Sequence, residues 1–127
     1  MQKYANQIRY SVFGYLNDNN ILRDGGVLRA QQKFVGPTYP VPGSTDATNT
    51  AKEWDPDTGV YIANPDNITS ALGQTISNSG ALNYVNKFGE VIRGNYKTYD
   101  PVGELYYAAL RYYKNLGNVP EWTSMTS

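Results

Sequence analysis

The stretch YDPVGELYYAALRYYKNLG, residues 99–117, predicts a helix with both ends marked. Asp100 can accept hydrogen bonds from the first-turn N–H groups, and Pro101 suits the first helical position, where no N–H is needed. Arg111 places positive charge near the negative end of the helix dipole. Gly117 can take the left-handed conformation that ends a helix. We expect the rest of the chain to pack around this helix.

One face of the predicted helix carries an apolar stripe at helical spacing, formed by Val102, Leu105, Tyr106, Ala109, Tyr113 and Leu116. Such spacing predicts that the stripe faces the core. Truncating Leu105 to alanine would then cost about 2–5 kcal/mol, as it does for buried leucines. Tyr107 and Tyr112 fall at the edge of the stripe or outside it. Half-buried packing is the favoured explanation for them, over contact with a protein or a sugar.

The composition excludes several classes of function. The chain has 127 residues, with eleven basic and eleven acidic side chains and neither histidine nor cysteine. Balanced charge argues against a nucleic-acid partner, which would require a basic face. Disulfides are excluded, and the commonest general base and metal ligand are absent. No apolar run approaches the roughly 20 residues of a membrane span, so we expect no membrane insertion. We predict one domain, residues 1–127, monomeric in isolation.

The first third of the chain predicts a long antiparallel hairpin. The runs 9–16 and 27–35 are rich in aromatic and β-branched residues, as strands are. Between them, Asn17-Asp18-Asn19-Asn20 and Asp24-Gly25-Gly26 are turn formers. Residues 2–7 are a short helix or a linker.

The next segments predict a loop and a second hairpin. Residues 38–50 are rich in proline and small polar residues, which favours an exposed, mobile loop, either a tolerated insertion or a binding loop. Residues 53–62 predict a tight hairpin, in which Asp55 caps the turn and Gly59 supplies a positive φ.

Two further helical segments complete the predicted fold. Residues 64–67 break the strand and can start a short helical turn through Leu72. Residues 77–79 offer a cap to a helix whose apolar positions are Ala81, Leu82, Tyr84, Val85 and Phe88. Residues 118–127 form a partly frayed tail. The elements do not alternate as βαβ, so we predict an α+β fold, a small antiparallel sheet of two hairpins covered by two or three helices.

The acidic residues allow two kinds of site. Paired carboxylates of a hydrolase could come from Glu53, Asp55, Asp57, Asp66 and Glu104. Their spacing ties no two of them across a cleft, and most fall in turns or caps. Residues 55–59 also resemble the start of a calcium loop, but an apolar strand precedes the acid at the twelfth position, Asp66. We favour the hairpin turn and predict no catalytic, cofactor or metal residues.

Five ordered blocks carry a family resemblance: RDGGVLRA (23–30), FVGP (34–37), WDPDTG (54–59), NSGALNYVNKFG (78–89) and YDPVGELYY (99–107). They resemble a segment of the type IV pilus tip-associated adhesins, the PilC/PilY family, over about residues 9–121. In that family the segment is similar to the stretch between a variable N-terminal region and a C-terminal β-propeller. The resemblance implies a piece of a larger exported protein, with a cell-surface or pilus-tip location and outer-membrane association. The family's calcium-binding and integrin-type motifs belong to other regions, so no site residue is transferred.

These observations predict a non-enzymatic module acting in adhesion and pilus biogenesis. Its partners would be pilus proteins, or a host or abiotic surface reached through flanking domains. One alternative is a carbohydrate-binding module that uses exposed tyrosine and tryptophan, which would show as a tryptophan fluorescence change on a glycan panel. Another is a carboxylate-dependent hydrolase, which would lose turnover when Glu104 or Asp57 is neutralised.

Overall fold

A computed structural model describes residues 2–15, 26–70, 72–88 and 102–120. The chain divides into two compact units, which we treat separately. The first comprises Met1–Val12 and Ala30–Gly89, and the second comprises Phe13–Arg29 and Glu90–Ser127. The single-domain organisation stays a prediction.

The secondary structure is that of a small α+β fold, as predicted. After a 3₁₀ helix, Gln2–Tyr4, strands β1 (Arg9–Tyr15) and β2 (Gly26–Phe34) pair in a two-stranded antiparallel sheet. Both strands lie where the aromatic and β-branched runs predicted them. The turn formers at 17–20 and at 24–25 lie outside the described residues.

The predicted loop at 38–50 contains a short hairpin. Strands β3 (Thr38–Tyr39) and β4 (Ala47–Thr48) pair antiparallel, with Thr38 opposite Thr48. Asn49 follows β4 and is buried, and its Nδ2 donates to the carbonyls of Phe34 at 2.8 Å and Gly36 at 2.7 Å. The expectation that this segment is exposed is therefore wrong at Asn49. A side-chain amide can satisfy carbonyls left open where a strand ends, which composition does not reveal.

Two more hairpins follow in the first unit. Trp54 pairs with Tyr61 across the turn that was predicted at 53–62. The helical turn expected through Leu72 is wrong, because Thr69 pairs antiparallel with Thr75 and the Ile76 N–H donates to the Ile68 carbonyl at 3.1 Å. Gly73, at φ 76°, allows the chain to reverse between Thr69 and Thr75.

The buried core of the first unit is small and built largely from small side chains. Its members are Ala5, Ala30, Val35, Trp54 and Ala81, with Tyr10, Val12 and Leu82 packed against them. The chain approaches itself closely here, since a Cβ at Gly36 would lie 2.6 Å from the Cβ of Ala5. Two helices complete the described structure: α1 (Ala81–Lys87) in this unit and α2 (Val102–Tyr113) in the other.

The C-terminal end of α2 is closed as the sequence predicted. Gly117 adopts φ 58°, and the Arg111 guanidinium donates to the carbonyls of Leu116 and Gly117, each at 3.1 Å. The positive charge of Arg111 therefore lies at the C-terminal end of the helix, where it satisfies carbonyls of the residues that follow. Asp100 and Pro101, predicted to begin the helix, lie outside the described residues.

The face of α2 that was predicted to be buried is exposed. Val102 is 61% exposed, Tyr106 74% and Tyr113 61%, and no residue of the helix is fully buried. Packing uses one edge of the stripe, where Leu105 lies, and the side of the helix next to it, about 60–80° around from Val102 at 100° per residue. There Leu105 lies over Gly26, and the ring of Tyr112 meets that of Phe13 edge to face at 5.6 Å. The expectation that the whole stripe faces the core is therefore wrong, although Leu105, one of its members, does pack. Periodicity finds an apolar face but not what covers it.

No helix within the four described ranges has both the length and the apolar character needed to cross a membrane.

Alanine substitutions at Gly26, which lies against Leu105, and at Gly103, which does not, should have opposite effects on stability. In Gly26→Ala the new Cβ would lie 2.6 Å from Leu105 Cδ1 and 2.8 Å from its backbone Cα, so we expect a loss of about 1–3 kcal/mol in unfolding free energy. In Gly103→Ala the Cβ meets nothing within 4 Å, so we expect a gain of up to about 1 kcal/mol from helix propensity. Urea denaturation measures both. Equal effects would contradict the close approach.

The hairpin at 38–48 predicts that its tip and its base differ in importance. Replacing residues 40–46, which are mostly exposed, with a Gly/Ser linker should leave stability nearly unchanged, because loop-closure entropy varies slowly with length. Asn49→Ala should cost about 1–3 kcal/mol, because it leaves two carbonyls without their donor. Thermal melts of the two variants test this. A large loss from the tip replacement would show that the tip is packed.

Candidate functional site

Glu53 is the largest side chain in the first unit that is completely buried, at 0% exposure. Its backbone is held on both sides. Its N–H donates to the carbonyl of Val35 at 3.0 Å, and its carbonyl accepts from the N–H of Ile62 at 3.0 Å. Glu53 therefore links the end of β2 to the hairpin that follows. These two backbone hydrogen bonds fix the position from which its side chain extends.

The Glu53 carboxylate caps the N-terminus of α1. Its Oε1 accepts from the Ala81 N–H at 2.9 Å, and its Oε2 accepts from the Leu82 N–H at 2.6 Å. First-turn N–H groups have no partner within their own helix, and the helix dipole favours negative charge there. A residue 28 positions earlier in the chain thus supplies the cap.

The cap predicted at residues 77–79 is therefore wrong. The residue before α1 is Gly80, which makes no side-chain cap. Ser79 instead donates its hydroxyl to Asn64 Oδ1 at 2.6 Å and accepts from the Asp66 N–H at 3.3 Å. The Ser79 side chain therefore holds the turn that contains Asn64 and Asp66 and does not cap the helix.

Lys33 brings two of the candidate carboxylates together. Its Nζ lies 3.2 Å from Glu53 Oε1 and also contacts Asp66 Oδ1. The side chains of Lys33 and Asp66 are only 17% and 15% exposed. One cation between two carboxylates leaves a net negative charge, which the amide groups of α1 help to offset. Removing one member of such a buried pair leaves an uncompensated charge and is strongly destabilising.

Gly80 lets the backbone close over this cluster. It adopts φ 90°, and a Cβ there would lie 2.8 Å from Glu53 Cδ and 2.8 Å from Pro65 Cγ. Both the backbone angle and the contact thus require glycine.

Asn83 completes the buried polar cluster from within α1. It is 6% exposed, and its Nδ2 donates to the carbonyls of Ile62 at 2.7 Å and Ser79 at 2.8 Å. Helix α1 is therefore attached to the 53–62 hairpin through both the Glu53 carboxylate and the Asn83 amide.

This arrangement is suited to holding structure rather than to acid–base chemistry. Both Glu53 oxygens accept from backbone N–H groups, and Lys33 holds both Glu53 and Asp66. Asp55 and Asp57 belong to the hairpin turn. Glu104 lies in the other unit, and its buried Oε2 has no hydrogen-bond partner among the described residues. Lys33 was missed from the sequence, because no short-range pattern connects it to acids 20 and 33 residues later.

The turn at 55–59 has the predicted form. Asp55 Oδ1 accepts from the N–H groups of Asp57 and Thr58, both at 2.9 Å, and Gly59 adopts φ 73°. These hydrogen bonds lower the pKa of Asp55 from its usual value of 3.8, and the bond from the Thr58 N–H contributes most. Within the described part of the chain, no group of three or more acidic side chains is placed to hold a metal ion.

The aromatic side chains considered for sugar binding are divided between core and surface. Trp54 is 7% exposed and belongs to the core, so it offers no platform. Tyr61 is 49% exposed, while Tyr106 and Tyr113 lie on the exposed face of α2. Trp122 lies outside the described residues.

The cap predicts a specific loss when Glu53 is truncated. Glu53→Ala should reduce the unfolding free energy by about 3–5 kcal/mol, because two N–H groups and Lys33 lose their partner. The matched control is Asp57→Ala at an exposed turn position, which should change it by less than about 0.5 kcal/mol. Urea denaturation midpoints give both values. A loss below about 1 kcal/mol for Glu53→Ala would show that the cap matters little.

The Asp55 turn predicts a pH dependence with a definite sign. Because folding lowers the pKa of Asp55, its contribution is fully present above pH 3.8 and is lost as the pH falls through the lower folded-state pKa. Asp55→Asn keeps an oxygen that can accept from the turn but cannot titrate, so this part of the acid dependence should disappear. NMR titration of the Asp55 carboxyl carbon tests the shift directly. A pKa at or above 3.8 would contradict it.

No protein-family model matches the sequence, and no solved structure matches it. A curated protein of Xylella fastidiosa (strain Temecula1 / ATCC 700964), described as "Type IV pilus biogenesis factor PilY1 homolog", is 52% identical over 132 aligned residues. The alignment covers 99% of this chain but only 11% of the relative. The resemblance drawn from the five sequence blocks is confirmed, and the chain belongs to the PilC/PilY family.

Proposed function

We propose that the chain is a non-enzymatic segment of a type IV pilus tip-associated protein that acts in pilus biogenesis and adhesion through structural or protein–protein contacts. The observation that carries this proposal is the 52% identity to a pilus biogenesis factor across 99% of the chain. Since the chain spans 11% of that relative, the activity of the whole protein is proposed here only as the setting in which this segment works.

The use of the acidic side chains supports a structural role. Glu53 caps α1, Asp66 pairs with Lys33, and Asp55 closes a turn. Each of these carboxylates therefore has a partner that explains its position. A hydrolase needs two carboxylates that face a substrate, one as acid and one as base or nucleophile.

The family also supports the location and partners that we propose. A segment of a type IV pilus factor would act outside the cell, at the pilus or the cell surface associated with the outer membrane. Its partners would be pilus proteins, or a host or abiotic surface contacted through flanking regions. We propose that the isolated segment is monomeric, which sedimentation velocity tests.

The function is tested by exchange in the relative. In X. fastidiosa, the aligned segment of the PilY1 homolog would be replaced by this chain, and surface pili would be counted by electron microscopy. We expect the exchange to retain pili and deletion of the segment to abolish them. Unchanged piliation after deletion would overturn a role in pilus biogenesis.

Two neutralising variants separate a scaffold from an enzyme. Asp57→Asn and Glu104→Gln should leave pilus number and surface adhesion unchanged at normal protein levels. Glu53→Ala should lower both together with the amount of folded protein. Loss of pili in either neutralised variant, with protein level and melting temperature unchanged, would favour the carboxylate-dependent hydrolase.

A further inference from the structure

One face of α2 is apolar and exposed. Val102, Tyr106, Leu110 and Tyr113 fall within about 80° of one another around the helix, at 100° per residue. Their exposed fractions are 61%, 74%, 41% and 61%. Leu116, just beyond the helix, is also exposed, at 52%. A contiguous exposed apolar patch of this kind marks an interaction surface more often than scattered single residues do.

The neighbouring side of α2 is already in use within the second unit. Leu105 lies over Gly26, Tyr112 contacts Phe13, and Arg111 holds the carbonyls after the helix. The charged side chains of the helix, Glu104 and Arg111, lie about 180–200° around from Val102. The exposed face thus carries no charge. It suits an apolar partner surface with hydrogen-bonding groups at its rim for the tyrosine hydroxyls.

We propose that this face, formed by Val102, Tyr106, Leu110 and Tyr113, is the docking surface for another part of the same PilY1-type polypeptide. The inference rests on the proposed function. In the matching relative, the aligned segment is 11% of the protein, so most of the polypeptide available to cover the face lies outside these 127 residues.

The size of the face favours a partner in the same polypeptide over a second copy of the chain. Separate proteins form stable complexes with about 800 Å² and 20–30 residues on each side. Four or five side chains on one helix fall well short of that. A partner in the same polypeptide is held at an effective concentration in the millimolar range, so a smaller contact suffices.

Cysteine labelling tests the proposal, because the chain contains no cysteine of its own. Tyr106→Cys places a thiol on the face. The matched control, Tyr107→Cys, is one residue later and 100° around the same helix. Each variant would be made in the 127-residue chain and in the X. fastidiosa protein that carries this chain in place of its aligned segment. Maleimide labelling rates would be read by mass spectrometry of the peptide that contains each position.

We expect labelling at position 106 to be at least about tenfold slower in the full-length protein than in the 127-residue chain, and labelling at 107 to change less than about twofold. Equal rates at 106 in the two proteins would overturn the proposal. Slow labelling at 106 in the isolated chain would overturn it as well. If the slow labelling of the isolated chain depends on protein concentration, a second copy of the chain covers the face. If it does not, other residues of the same chain cover it.

The pilus count keeps this result separate from the proposed function. An exchange protein that supports pili but labels freely at 106 overturns the docking surface alone. An exchange protein that is protected at 106 but supports no pili overturns the proposed function alone.

Discussion

The carboxylate of Glu53 at the N-terminus of α1 is the interaction on which the first unit depends. It joins the end of β2, the 53–62 hairpin and α1 at one buried point, through its own backbone and two first-turn N–H groups. Among the residues that the structure describes, the apolar core beside it holds five buried side chains, three of them alanines. Hydrophobic burial is thus limited, and the relative placement of these elements depends heavily on satisfied polar contacts. A buried charge is stabilising only where its partners are complete, and here Lys33, Asp66 and the helix amides complete them.

Most of the local structure with a local cause was predictable, although the hairpin that pairs Thr69 with Thr75 was mistaken for a helical turn. Strands β1 and β2, the Asp55 turn with Gly59, helix α2 and its end at Gly117 all follow from residues within a few positions of one another. The cap of α1 was not predictable, because nothing near residue 81 points to Glu53. The role of Asn49 was missed for a related reason. Its side chain donates to the carbonyls of residues 34 and 36, and whether those carbonyls need a donor depends on where β2 ends.

Helix α2 shows a different limit of sequence patterns. The stripe of apolar residues is present on α2, but Gly26 decides which side of the helix packs. Because Gly26 has no side chain, Leu105 can lie directly over it. Hydrophobic periodicity identifies surface that water disfavours, and in a segment of a larger protein that surface need not be buried by the segment itself. The candidate carboxylates show the same limit. The sequence identifies Glu53 and Asp66 as acidic residues, but only the structure shows that Lys33 pairs with both of them.

The distance along the chain between Glu53 and α1 has a consequence for the order of folding. Synthesis from the N-terminus delivers Lys33 and Glu53 before the amide groups of residues 81 and 82 exist. Until those residues emerge, the carboxylate has no helix to cap and remains hydrated. The β1–β2 pair and the 53–62 hairpin can therefore form first as local structures, while burial of Glu53 waits for α1. A nascent chain that stalls before residue 81 therefore leaves the Glu53 carboxylate without the two helix amides that cap it.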